Sequence, residues 1–167
     1  MPGNDPPRLI AKGILMKPER YRHAIVPHIY VDGAADAIAF YKRAFAAEEL
    51  FRLAHPDGTI VHAELSIKGS VIMIGDPDSK FYAEPRIVGR CTASLHIFTD
   101  DNAALLRRAV DAGAETIQPL TEMFYGASSA SVRDPFGHVW VLLSWRQDLS
   151  PAEMERRWNA SGSGLGE

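Results

Sequence analysis

An α+β chain of two paired βαβββ modules, forming mixed sheets with helices on the outer face, is the fold class the sequence predicts. Three observations predict it. The element order runs strand, helix, strand, strand, strand, and after residues 76–89 it begins again. Pro27-His28-Ile29-Tyr30-Val31-Asp32 lines up with Leu95-His96-Ile97-Phe98-Thr99-Asp100, and an alanine-led helix follows each. The strands alternate polar and apolar residues, so each sheet has one face for its helix and one for something else. Neither unit alone covers both faces of its sheet, so pairing is the physical expectation.

The elements follow in order. Residues 24–31 are the first strand candidate, with Asp32 as N-cap of a helix whose stripe is Ala34, Ala37, Ile38, Tyr41 and Phe45. Strands at 49–53, 60–68 and 70–74 follow, separated by the His55-Pro56-Asp57-Gly58 turn and by Gly69. Residues 76–89, with two prolines, read as a patternless linker. The second module has a strand at 92–99, caps in Asp100-Asp101-Asn102, and a helical stripe of Leu106, Ala109 and Val110 that Gly113 ends. Strands at 116–119, 127–133 and 138–144 complete it, the last two joined by Asp134-Pro135-Phe136-Gly137. A final helix starts at Ser150-Pro151-Ala152-Glu153, with a hydroxyl cap, proline at the first position and glutamate at the third. Met154 and Trp158 pack it on the domain or on a partner. The divisions are an N-terminal arm at 1–20, loose or ordered on a partner subunit, and a domain at 21–146 (module one 23–76, linker 77–90, module two 91–146). A C-terminal helix and fraying tail span 147–167.

Composition narrows the function. The chain has 167 residues, enough for one domain with a real core, and a formal net charge of −3. No basic run is present for nucleic acid, and no apolar stretch is long enough for a bilayer. The single cysteine, Cys91, excludes an intrachain disulfide; with no signal peptide in the sequence, a cytoplasmic location is expected. Cys91 beside Arg90 is read as a structural thiol, with a lowered thiol pKa as the alternative.

Alternation assigns the faces. Val61, Ala63, Leu65 and Ile67 form the apolar set of their strand, and His62, Glu64, Ser66 and Lys68 the polar set. His28 and Tyr30, and in the repeat Ser94, His96 and Phe98, lie on the corresponding polar faces. Three of the six histidines, a carboxylate and two aromatics thus converge where a small molecule would bind. His62 and Glu64, two apart on one strand face, are candidates for a catalytic acid/base pair or for a polar wall. Tyr30, Phe98, Phe124 and Tyr125 could stack on a flat aromatic ligand or belong to the core. Trp140 is read as core, and His138 as part of a turn.

The residues Tyr30 to Phe45, Pro56-Asp57-Gly58 with His62-Ala63-Glu64-Leu65, Ser94-Leu95-His96, Ala109 to Ala114 and Arg133 to Trp140 resemble, in order and spacing, the PhnB-like branch of the vicinal oxygen chelate (glyoxalase/bleomycin-resistance/dioxygenase) superfamily. The resemblance spans roughly residues 17–157. It implies curved sheets around a cavity, commonly in a homodimer, and in metal-dependent members four ligands from the first and last strands of each module. Those positions fall here on Val26, Met73, Ser94 and Val141, a set with neither carboxylate nor imidazole, so no cofactor is expected. A displaced divalent metal on His28, His62 and His96 is the alternative. Relatives commonly carry Trp-Gly-Asp-Arg-Tyr-Gly before the last hairpin. Tyr125-Gly126-Ala127-Ser128-Ser129-Ala130 replaces it, a small, neutral wall that predicts a roomier or differently shaped pocket. The expected function is metal-free binding of an aromatic or oxygen-rich small molecule, such as an antibiotic, through His28, Tyr30, His62, Glu64, Met73, Ser94, His96, Phe98, Phe124 and Tyr125. The alternatives are a lyase, isomerase or dioxygenase-like enzyme using the cavity His and Glu residues, and a non-catalytic dimeric scaffold.

Overall fold

The computed structural model describes residues 19–21, 25–78 and 80–161. The expectations for 1–18 and for the end of the tail lie outside these residues. Two four-stranded mixed sheets form the frame. In module one, β1 (His28–Tyr30), α1 (Ala34–Phe45), β2 (Glu48–Ala54), β3 (Ile60–Ile67) and β4 (Ser70–Gly75) give the order β1-β4-β3-β2. In module two, β5 (Ser94–Phe98), α3 (Asn102–Asp111), β6 (Glu115–Glu122), β7 (Ala127–Arg133) and β8 (Val139–Trp145) give β5-β8-β7-β6. In each, the first strand runs parallel to the last and the others are antiparallel. Between the modules lies α2 (Pro85–Val88), a single turn with Pro85 at its start, so the linker is not wholly irregular.

The helices α1 and α3 cover the apolar faces of their sheets and pack against each other. All five residues of the α1 stripe are buried, and Phe40 and Ala44 join them because α1 meets α3 as well as its sheet. The α3 stripe is corrected by one position: Leu105 and Ala109 are core, while Val110 is 43% exposed. Trp140 is buried as expected, among Tyr41 and Phe45.

Caps account for the helix boundaries. Asp32 does not cap α1. Its N-cap is Gly33 in the left-handed region (φ 82°), and the Asp76 carboxylate accepts from the Gly33 and Ala34 amides at 2.9 and 3.0 Å. A residue at the end of β4 thereby does the work assigned to a local neighbour. Asp101 caps α3 by accepting from the Ala104 amide, and Gly113 follows its end with φ 115°. Ser150 Oγ accepts from the Glu153 amide and opens α4 (Pro151–Ala160); the Glu153 carboxylate pairs with Arg156 and Arg157. Trp158 holds α4 on Phe124, with ring centroids 5.1 Å apart.

The pairings of the edge strands β2 and β6 are bulged. Glu49 pairs with Leu65 but Phe51 with Glu64, so Leu50 is an extra residue; Leu53 pairs with His62 but Ala54 with Ile60, so Val61 is another. Val61 was assigned to the apolar, helix-facing set, yet it is 52% exposed, because the bulge takes it out of the alternation while Ile60 and Ala63 stay buried. In β6, Thr116 pairs with Val132 and Gln118 with Ser131, so Ile117 repeats the Leu50 bulge. A second irregularity between Gln118 and Thr121 admits Pro119 into the edge strand, which therefore runs on to Glu122.

Candidate functional site

The register sets the open faces as cross-strand rows. The central row of module one reads His28, Met73, Glu64, Phe51 across β1, β4, β3 and β2. Its counterpart in module two reads His96, Val141, Ser131, Gln118. The repeat seen in sequence is thus a structural repeat, with a carboxylate in one copy and a hydroxyl in the other.

Module one carries a chain of rings. The His28 and Tyr30 rings stack at 4.4 Å, and Tyr30 stacks on Tyr82 at 4.2 Å with planes 9° apart. His28 meets His62 edge-on at 5.5 Å, and His62 meets Phe51 at 5.6 Å. The Tyr30 hydroxyl lies 3.4 Å from His28 Nδ1. Partial burial, with the neighbouring His62 adding to it, lowers the His28 pKa, so the neutral imidazole is favoured. Burial and the Tyr82 hydroxyl raise the pKa of Tyr30, which stays a phenol.

Glu64 stands beside this array at 1% exposure. A buried carboxylate needs donors, because desolvation without them is costly. A 3-10 turn, Glu19–Tyr21, provides them: Arg20 Nε donates to Oε2 at 2.8 Å, and the Tyr21 hydroxyl donates to Oε1. His62 Nε2 lies 3.6 Å from the same Oε1. The guanidinium of Arg20 also sits over the rings of Tyr21 and Phe51. The described end of the arm therefore rests on its own chain.

The other expected residues fall elsewhere. Ser94 and His96 are exposed on the module-two face, with Ser94 Oγ 3.1 Å from His96 Nε2. Phe98, 55% exposed, shares that face with Leu143. A groove of about 440 Å³ between the modules is lined by Arg20, Val26, Val71, His96 and Phe98 among others. A smaller hollow of about 260 Å³ takes in His28, Tyr30, Cys91 and His138. Cys91 is half-buried and its thiol meets the Ala93 carbonyl at 2.7 Å. Phe124 and Tyr125 lie at the module-two rim, against Trp158 and Trp145 rather than beside the module-one rings. The small wall at 126–130 is uncharged and buried, but it is not open space at Gly126. A Cβ there would lie 3.0 Å from Leu149 and 3.1 Å from the Gln147 carbonyl, so the chain's own C-terminal segment fills it.

Arg20, Tyr21, Phe51 and Tyr82 escaped the sequence reading. Phe51 reaches the face only because the Leu50 bulge shifts the alternation. Arg20 and Tyr21 act 44 and 43 residues away, which no local pattern reports. The adjacent aromatics Phe81 and Tyr82, in a linker otherwise without pattern, were a usable signal.

The family's metal positions do not suit a hard or borderline divalent ion here. Val26 and Val141 have no donor, Met73 offers a soft thioether beside Glu64, and the Ser94 hydroxyl faces His96. Of the displaced set, His28 and His62 touch, whereas His96 is on the other sheet. Among the described residues no group of three or more His, Cys, Asp or Glu is placed to hold a metal ion.

Comparison with known proteins places this geometry. The model of the family described as the Glyoxalase/Bleomycin resistance protein/Dioxygenase superfamily matches residues 20–142. An uncharacterised protein of Mycobacterium bovis is 34% identical over 145 residues, covering 84% of this chain and 95% of its own length. The crystal structure of an Arabidopsis thaliana gene product is similar with a TM-score of 0.60 and 28% identity, over 72% of this chain and 97% of that one. That of TioX from Micromonospora sp. ML1 is similar with a TM-score of 0.58 and 25% identity, over 77% of this chain and 100% of that one.

Proposed function

The chain belongs to the Glyoxalase/Bleomycin resistance protein/Dioxygenase superfamily, and from that premise we propose that it binds a planar aromatic small molecule against the module-one face without the family's metal. The carrying observation is the unbroken run of rings Tyr82, Tyr30, His28, His62 and Phe51, with neutral His28 at its centre. Stacking between flat π-systems contributes about 0.5–1.5 kcal/mol per pair beyond area burial, and a neutral His28 ring spares a bound aromatic the cost of covering a charge. Sequestration of such a compound needs no reaction. In this reading a second copy lays its module-two face, with Phe98 and Val141, over the module-one rings and completes the pocket.

The test is a thermal-shift screen of planar bicyclic and tricyclic aromatics, followed by calorimetry on wild type and Tyr30→Ala. Saturable stabilisation by unchanged ligands is expected, with affinity falling about tenfold in Tyr30→Ala. Stabilisation that Tyr30→Ala leaves untouched would place the ligand elsewhere. A second reading, an acid/base enzyme, draws on the 3.6 Å approach of His62 Nε2 to Glu64 Oε1. It requires that the ligands be converted, and that His62→Ala cut turnover more than affinity.

A further inference from the structure

The two oxygens of the Glu64 carboxylate have different partners. Oε2 is held by Arg20 Nε at 2.8 Å, an ion pair that neutralises the buried charge. Oε1 faces the ring array: it accepts from the Tyr21 phenol and lies 3.6 Å from His62 Nε2. A carboxylate this deeply buried must keep a donor on each side. Oε2 keeps its own through the counter-ion, whereas the donor on Oε1 is a neutral hydroxyl on an aromatic ring. Module two gives the contrast. There the equivalent position is Ser131, whose Oγ donates to Gln118 at 3.3 Å, so that row is closed by a neutral pair from its own sheet. The acidic position exists only where the rings are.

From this geometry we propose that Glu64 is the specificity-determining acceptor of the site, that the ligand is a hydroxyl-bearing planar aromatic, and that Tyr21 is its internal stand-in. The proposal rests on the aromatic-binding reading above. A ligand stacked beside His62 presents its hydroxyl to Oε1, and the Tyr21 phenol leaves. The exchange is phenol for phenol. One neutral donor replaces another, the Arg20–Glu64 ion pair stays intact, and no buried charge is left unpaired at any stage. An aromatic without a donor has to leave Tyr21 in place or strip Oε1 of its hydrogen bond, and either weakens binding.

The experiment measures calorimetric affinities of 2-naphthol and 2-methoxynaphthalene, which share a ring system and differ in the donor. The proteins are full-length wild type, Tyr21→Phe and Glu64→Gln. Wild type is expected to favour 2-naphthol several-fold, because its hydroxyl only replaces that of Tyr21, and Tyr21→Phe by about tenfold or more, the worth of a hydrogen bond to a charged acceptor without a competitor. Tyr21→Phe, which removes only the competing hydroxyl, tightens 2-naphthol several-fold and leaves 2-methoxynaphthalene nearly unchanged. Glu64→Gln brings the preference close to unity. Should that variant fail to fold, the Tyr21→Phe comparison decides alone. Equal binding of both probes by wild type overturns the role of Glu64 while the aromatic reading stands. Weaker 2-naphthol binding in Tyr21→Phe makes Tyr21 a wall of the site and overturns the exchange. Failure of both probes to bind any of the three proteins overturns the aromatic reading, and this proposal with it.

Discussion

His28 shows how one side chain ties the site to solution conditions. Partial burial and His62 lower its pKa from the ordinary 6.5, so the folded chain resists the proton that the unfolded chain takes up. The unfolded state then binds more protons below about pH 6.5, and stability falls as pH drops through that value. The ring is open to solvent on one side, which screens the effect. Thermal melts from pH 8 to 5 should show a loss of Tm in wild type that exceeds that of His28→Gln by about one or two degrees. Parallel curves for the two proteins would show that His28 does not titrate differently on folding. The residues of the open faces were legible from the sequence wherever strict alternation holds: His62 and Glu64 do share a face with His28. Phe51 was not, because one inserted residue at position 50 inverts the pattern, and Arg20 and Tyr21 were not, because their partner is remote in the chain.

Among the elements, the β7–β8 hairpin joins the modules. Asp134 accepts from the Phe136 and His138 amides within the turn, each at 2.9 Å, and its other oxygen accepts from Tyr41 of α1 at 2.7 Å and Trp140 at 2.9 Å. His138 Nε2, in turn, lies 3.1 Å from the Tyr30 carbonyl of β1. The turn residues announced a hairpin; that the same carboxylate would clamp a helix 93 residues away was hidden, because turn chemistry explains only half of its hydrogen bonds. Burial and this carboxylate raise the Tyr41 pKa well above its usual value, so the phenol remains a donor. Asp134→Ala strands two buried side-chain donors and should cost about 3 kcal/mol in urea denaturation, with unfolding still a single transition. A loss under about 1 kcal/mol would mean that water replaces the clamp. Element order was readable throughout because each strand and helix carries its own period. The ends moved where long-range groups intervene, as with Asp76 at the start of α1.

Taken whole, the molecule spends its apolar faces on one continuous core around α1 and α3 and leaves both opposite faces outside it. On module two, Phe98 and Trp145 remain 55% and 53% exposed, and on module one Leu53 and Val61 remain 57% and 52% exposed. Exposure on this scale is what a second copy would remove. Light scattering should therefore find a two-chain particle, with Trp145→Glu shifting it towards single chains and weakening ligand binding in parallel. A wild-type monomer that still binds ligand would sink the two-copy pocket. Sequence could give the two modules but not their pairing, since both arrangements bury the same alternating faces. The paired rows His28-Met73-Glu64-Phe51 and His96-Val141-Ser131-Gln118 carry a consequence for descent. If one ancestral unit was duplicated, its halves have since parted company, one keeping the acid and the rings and the other going neutral. Natural variation can then retune recognition in the first half while the second keeps the frame, without any change having to be made twice.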